Sequence, residues 1–161
     1  MGLFTNKEFN SFEDLFFDQL EDLYDAENQI LVAIPKMADA CSSSELKTAF
    51  QDHHLESKRH VQRLEQIFQQ LGKMPQRETC AAMQGLIKEC EDVIDATGDS
   101  AVKDAALIAA AQRVEHYEMA GYGSARTFAE HLHFVDAARL LQETLDEEKI
   151  TDKNLTELAE R

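Results

Sequence analysis

The chain has no tryptophan, and only 6 glycines and 2 prolines punctuate its 161 residues. So few breakers leave little room for the turn-dense plan of a β-sandwich or barrel. No stretch alternates apolar and polar residues for long, which argues against strands. No apolar run approaches the roughly 20 residues needed to span a bilayer. Residues Met1 to Asn10 lack the basic start and apolar core of a secretory signal. Gly2 follows Met1, but Asn6 stands where a myristoylation signal has Ser or Thr. An intracellular, cytoplasmic protein is expected. Cysteine is scarce too: Cys41, Cys80 and Cys90 make an odd count without CxxC spacing. Structural disulfides and a thiolate zinc site are disfavoured on that ground. Basic residues are outnumbered, 16 Lys and Arg against 31 Asp and Glu, for a formal net charge of −15. That balance opposes non-specific binding to phosphate backbones and docking on anionic lipid. Neither nucleic acid nor membrane is an expected partner.

What remains is helix. Hydrophobic residues are 43% and charged residues 29% of the chain, enough for one domain over residues 1–161 with a real core. Ser11 can cap a first helix, with Asp14 three residues on as an imperfect capping box. Its stripe runs Leu15, Phe16, Leu20, Leu23, Ile30, Ile34 and Met37, and it continues past Pro35, where a kink is expected. After the turn at Ser42–Ser44, a second helix spans about Glu45 to Leu71 and stops at Gly72. A shorter amphipathic helix, about Thr79 to Ala96, lies between Pro75 and Gly98. Asp99 or Ser100 then caps a long alanine-rich helix to about His131, and a last helix runs from about Val135 to Arg161. The four long helices would each measure about 40–45 Å. Tight turns make antiparallel hairpins of the first two and the last two. The long connection between the hairpins carries the chain back along the bundle. The expected class is all-α: a ferritin-like four-helix bundle with one long crossover carrying an extra short helix.

Carboxylates interrupt the apolar stripes. Glu27 sits between Leu20, Leu23 and Ile30, Ile34 at spacings of three and four. Its neighbours Glu21 and Asp25 fall on outer faces. His53, Glu56 and His60 lie between Phe50 and the pair Val61 and Leu64. Glu115 and Glu118 lie among Leu107, Ala111, Met119 and Tyr122, while Glu148 and Asp152 lie between Leu145 and Leu155. Each hairpin thus supplies a single acid and then a pair at i, i+4: Glu27 with Glu56 and His60, Glu115 with Glu148 and Asp152. The intervals from single acid to pair are 29 and 33 residues, so folding each hairpin brings its groups to one level. A lone acid in a stripe more often sits at its edge and reaches water; a set matched across two hairpins is harder to explain that way. A buried carboxylate must find a partner or take up a proton. No Lys or Arg occupies these stripes, which leaves a metal. Oxygen donors with imidazole suit iron or manganese.

Other candidates are weaker. His53 and His54 stand at the site or its boundary, and His116 is turned about 100° away from Glu115. Glu118 is an alternative or additional ligand. Tyr24 and Tyr122 lie on the site face, either bonded to the carboxylates or as ordinary core aromatics. The run Asp146–Lys149 reads as solvated apart from Glu148.

Four stretches carry a resemblance: DLYDAENQILVAIPKMA (22–38), HHLESKRHVQRLEQIF (53–68), DAALIAAAQRVEHYEMAGYGSA (104–125) and LLQETLDEEKITDKNLTELA (140–159). They resemble the YciF family of ferritin-like proteins over nearly the whole chain. The resemblance implies a candidate di-iron site, a stress-associated bacterial setting and a homodimer, and it implies no settled reaction. The wider pattern has one Glu from each of two helices and Glu-x-x-His from each of the others. Glu27 and Glu115 match the single acids, Glu56 and Glu148 the paired ones. Here the second member falls at i+4, and Asp152 replaces a histidine. The expected ligands are Glu27, Glu56, His60, Glu115, Glu148 and Asp152 around two metal ions, iron first and manganese second, with Glu56 and Glu148 bridging. Such a centre would react with O₂ or peroxide, or oxidise Fe²⁺. The alternative is a non-enzymatic structural or interaction protein, a dimeric helical bundle with a structural metal or none.

Overall fold

The computed structural model describes residues 7–161; Gly2 and Asn6, read above for a lipid signal, lie outside the described residues. Five helices follow in order: α1 Phe12–Ala40, α2 Ser44–Gln70, α3 Ala81–Ile94, α4 Ser100–His131 and α5 Val135–Ala159. There is no strand among the described residues. No described helix is long and apolar enough to cross a membrane.

The helix starts follow the capping residues. Ser11 Oγ accepts from the Asp14 N–H, Ser43 Oγ from Leu46 N–H, and Asp99 from the N–H groups of Ala101 and Val102. At α3 the cap is the Cys80 sulfur, which accepts from Met83 N–H. α2 ends in a Schellman turn: Gly72 takes φ +68°, Lys73 N–H reaches Phe68 O, and Gly72 N–H reaches Gln69 O. α4 ends in the same way, but His133 rather than glycine holds the left-handed position at φ 61°. α1 continues through Pro35, which faces solvent.

The chain direction confirms the crossover. Asp104, in the first turns of α4, accepts from Ser42 N–H, Ser42 Oγ and Ser43 N–H at the α1–α2 turn. At the far end Phe16 of α1 packs on Phe134, just before α5, with ring centroids 5.7 Å apart. α2 and α4 therefore run parallel, and α1 and α5 run against them. The connection between the hairpins lays α3 along α1 and α4. Asp25 anchors it: this carboxylate accepts from Cys80 N–H (2.8 Å), Arg77 Nε (2.9 Å) and Gln29 Nε2 (2.5 Å). The expectation that Asp25 lies on an outer face is thereby corrected. The crossover covers that face of α1, and Asp25 is buried beneath it.

The core is in two parts. One cluster gathers Phe16, Leu20, Leu23, Leu64, Phe68, Tyr122 and Leu141 near the start of α1. The other gathers Ile30, Ile34, Met37, Phe50, Met83, Val114 and Leu155 towards its end. On α1 the break falls between Leu23 and Ala26, on α2 between Phe50 and Leu64, on α4 between Val114 and Tyr122, and on α5 between Leu145 and Leu155. All four intervals sit at one level. Gly121 lets α4 close on α1 just beside it, since a Cβ there would lie 2.7 Å from Leu23 Cδ2.

Candidate metal centre

The level between the two apolar clusters is polar. A heptad-like phase puts Leu20, Leu23, Glu27, Ile30 and Ile34 on the inner face of α1. The inner face of α2 is Leu46, Phe50, His53, Ser57, His60 and Leu64. α4 presents Ala111, Glu115, Glu118, Tyr122 and Ala125, and α5 presents Leu141, Leu145, Glu148 and Leu155. Two groups result. His53, Glu115, Glu118 and Glu148 bring one ligand atom each within 4.8 Å of one another, and so do Glu27, His60 and Glu148. Glu148 belongs to both. All six side chains are buried, with Glu27, His60, Glu118 and Glu148 at 0% exposure.

Of the six residues expected from sequence, the structure gathers Glu27, His60, Glu115 and Glu148. It leaves out Glu56 and Asp152. Glu56 is half-buried at the α2 edge, where its carboxylate accepts from Thr151 Oγ1 at 3.1 Å and faces Arg59 at 3.5 Å. The reason is phase: the inner stripe steps from His53 to Ser57 to His60 and passes beside residue 56. Asp152 accepts from Gln112 Nε2 at 3.1 Å and lies 3.3 Å from His116 Nε2, near the surface. In their place stand His53 and Glu118, the weaker candidates. The donor set is four carboxylates and two imidazoles, rather than five and one.

The acids of this layer differ from the other buried acids of the same protein. Asp25 and Asp104 each accept from several donors, and these bonds outweigh burial and hold both carboxyls below the usual carboxylate range. Among the described residues, Glu118 has no hydrogen-bond partner on either oxygen, nor has Glu148. Glu27 Oε2, Glu115 Oε2 and both His53 nitrogens also lack one. His53 Nε2 lies 3.3 Å from Glu115 Oε1, and Glu148 Oε1 2.9 Å from His60 Nδ1, but neither approach has the direction of a hydrogen bond. Leaving a buried polar atom unpaired costs about 1–3 kcal/mol, more if it is charged. So many unpaired donor atoms converging on one place fit cations between them.

Without metal, protons do part of that work. Burial and then the Glu148 charge raise the Glu115 carboxyl well above its ordinary range, and burial with Glu148 and Glu27 does the same to Glu118. Burial opposes ionisation of Glu148 as well, but His60 and His53 hold it below the usual range. For His60, burial disfavours the cation; Glu27, Glu147 and Glu148 outweigh it and push the pKa up to about 12.

Two neighbours hold these groups in place. The Tyr122 hydroxyl donates to Glu27 Oε1 at 2.6 Å, while Tyr24 turns away to Glu65. His60 Nε2 lies 2.8 Å from Glu147 Oε2, and Arg63 grips Glu147 through both of its terminal nitrogens at 2.6 and 2.8 Å. His60 is thus oriented with Nδ1 towards Glu27 and Glu148, the carboxylate-to-imidazole arrangement common behind metal-binding histidines. Sequence reading placed Glu147 in a solvated run. Only its contact across the α2–α5 seam reveals it.

Residues 11–161 match the family described as a domain of unknown function (DUF892). The chain is 47% identical to Protein YciF of Escherichia coli (strain K12) over 148 residues, 91% of this chain and 89% of that one. The crystal structure of the E. coli stress protein YciF has a TM-score of 0.91 at 46% identity, covering 94% of this chain and 96% of that one. YcfI from Rhodopseudomonas palustris, proposed to be a structural protein, has a TM-score of 0.91 at 38% identity, covering 95% and 98%. The chain belongs to the DUF892 family.

Proposed function

We propose that this member of the DUF892 family is a two-metal carboxylate protein. One ion would be held by His53, Glu115, Glu118 and Glu148, the other by Glu27, His60 and Glu148, with Glu148 shared. The observation that carries the reading is Glu118: a fully buried carboxylate with no donor on either oxygen among the described residues, beside five other ligand-type side chains. Four carboxylates and two imidazoles are also the donor inventory of di-iron and di-manganese bundles. Their distribution is different here, since α2 supplies both imidazoles and α4 two carboxylates. Hard oxygen donors with imidazole favour iron or manganese. Iron in this centre would supply reactivity towards O₂ or peroxide, or oxidation of Fe²⁺. The chain's own part is to orient and seal. Tyr122 steadies Glu27, Glu147 steadies His60 from behind, and the aromatic cluster near the start of α1 closes one side of the carboxylate layer. An intracellular homodimer acting in stress belongs to the same proposal, and sedimentation velocity tests the dimer.

Metal analysis of protein purified without chelator tests the centre, followed by anaerobic Fe²⁺ loading and exposure to O₂ or peroxide. Two irons per chain and a ferric absorption band in the near ultraviolet are expected. Glu148→Ala should abolish tight loading, and Glu56→Ala should leave it unchanged. A chain that takes up no transition metal, with a Tm indifferent to Fe²⁺ and Mn²⁺, would favour the second reading. That reading is a structural bundle, as proposed for the R. palustris neighbour.

A further inference from the structure

The carboxylate layer is not sealed equally on its two sides. Towards the end of α1 lies a cavity of about 370 Å³. Ile34, Met37, Phe50, Ile87, Val114 and Leu155 form much of its wall, and His53 and Glu115 stand at its inner limit. Two small residues, Ala33 and Ala49, leave part of the space open. The exposed lining residues Glu45 and Asp52 of α2 and Glu157 and Arg161 at the end of the chain mark its mouth. Arg161, the cation of that rim, already lies 3.4 Å from Glu45. An apolar wall with polar groups at the rim, at the floor and along the α2–α5 side, among them Glu56 and Thr151, is a form that small-molecule sites take. A cavity of about 150 Å³ accommodates benzene, so this one takes roughly ten to fifteen non-hydrogen atoms. A carboxylate or phosphate entering it would meet Glu45, Asp52 and Glu157 at the rim and Glu56 along the wall.

We propose that this cavity binds a largely apolar molecule of about ten carbons carrying no negative charge, with its leading end against His53 and Glu115. Binding follows from the cavity alone; only what the leading end meets rests on the two-metal reading.

The test titrates the metal-free full chain with decan-1-ol, 1-aminodecane and decanoate by calorimetry. In parallel, the Met methyl resonances are followed by NMR. Decan-1-ol and 1-aminodecane should bind one per chain, and decanoate at least tenfold more weakly. The Met37 methyl should shift while the exposed Met74 methyl stays still. Ala33→Leu and Ala49→Leu, which add bulk at two cavity-lining positions outside the proposed ligand set, should each weaken decan-1-ol at least tenfold. No binding, a still Met37 methyl, or decanoate binding as tightly as the alcohol overturns the proposal. The parent's methyl shift decides the matter should either variant fail to fold. A Mn²⁺ titration of the same protein separates the two ideas. Metal uptake without alcohol binding removes the pocket and leaves the centre. Alcohol binding without metal uptake keeps the pocket and removes the centre.

Discussion

The two apolar halves of the bundle are built differently. The half near the start of α1 is packed with rings: Phe16 against Phe17 at 5.6 Å, Phe17 against Phe68 at 6.4 Å, and Phe16 against Phe134 at 5.7 Å. The half beyond the carboxylate layer relies on alanine and aliphatic side chains, is covered on one flank by α3, and keeps the cavity. Both halves bury comparable stripes of the same four helices. Large, shape-filling side chains close the first half. Smaller ones leave space in the second. The comparison suggests a division of labour in which one half holds the fold together and the other gives access to the polar layer between them.

The largest expected effect tests the closed half. Phe68→Ala removes a fully buried ring at the centre of the aromatic packing and should cost about 3–5 kcal/mol, read from urea unfolding. A loss under ~1 kcal/mol would mean that this half is not the stable one. The next test concerns the layer itself. Glu118→Met replaces an unpartnered buried carboxyl with an apolar side chain of similar length. It should stabilise the metal-free protein by about 1–3 kcal/mol and erase the rise in Tm that Mn²⁺ gives the parent.

A matched pair of substitutions sharpens the contrast between the halves. Ala125→Leu, in the closed half, has nowhere to place its added carbons and should destabilise by about 1–3 kcal/mol. Ala49→Leu, at the cavity, should stay within about 0.5 kcal/mol of the parent. Equal costs would show that the cavity is not open space in solution.

The metal-free layer should also respond to pH. Glu115 and Glu118 keep protons that an unfolded chain gives up above about pH 4.5, so each favours unfolding as pH rises past that point. His60 adds to the same trend. Its charge stabilises the fold fully below the unfolded pKa of 6.5, and that support is lost as pH rises towards about 12. Glu147, held below its usual range by Arg63 and then His60, gives support that is lost only in acid. The urea midpoint of metal-free protein should therefore fall from about pH 5 to pH 8, and saturating Mn²⁺ should flatten the slope. A rising midpoint in metal-free protein would contradict the protonated layer. A further effect lies outside both halves. His133→Gly relieves a left-handed non-glycine residue and should stabilise by about 0.5–1 kcal/mol.

The helices and their order were legible in the sequence because caps, breakers and period are local. Ser11, Ser43, Asp99 and Gly72 act within a turn of their own positions. The site was legible in part. Glu27, His60, Glu115 and Glu148 stand in phase with their apolar stripes. Strict phase on α2, stepping through residues 50, 53, 57, 60 and 64, also selects His53 and passes over Glu56. Likewise the step from Glu115 to Glu118 to Tyr122 selects Glu118. Phase does not settle Asp152, which lies one step on from Glu148 and still turns to Gln112 and water. Nor does it reveal Asp25, whose burial depends on a crossover packed from far along the chain.

The sequence alone determined that this chain is a helical bundle with one crossover and acids facing inward, because helical period and capping depend on neighbours a few residues apart. The tertiary structure alone decided which polar groups meet, which half of the core stays open, and that Glu147 stands behind His60. Those outcomes depend on how side chains from distant helices divide the same space, and no local pattern records that division.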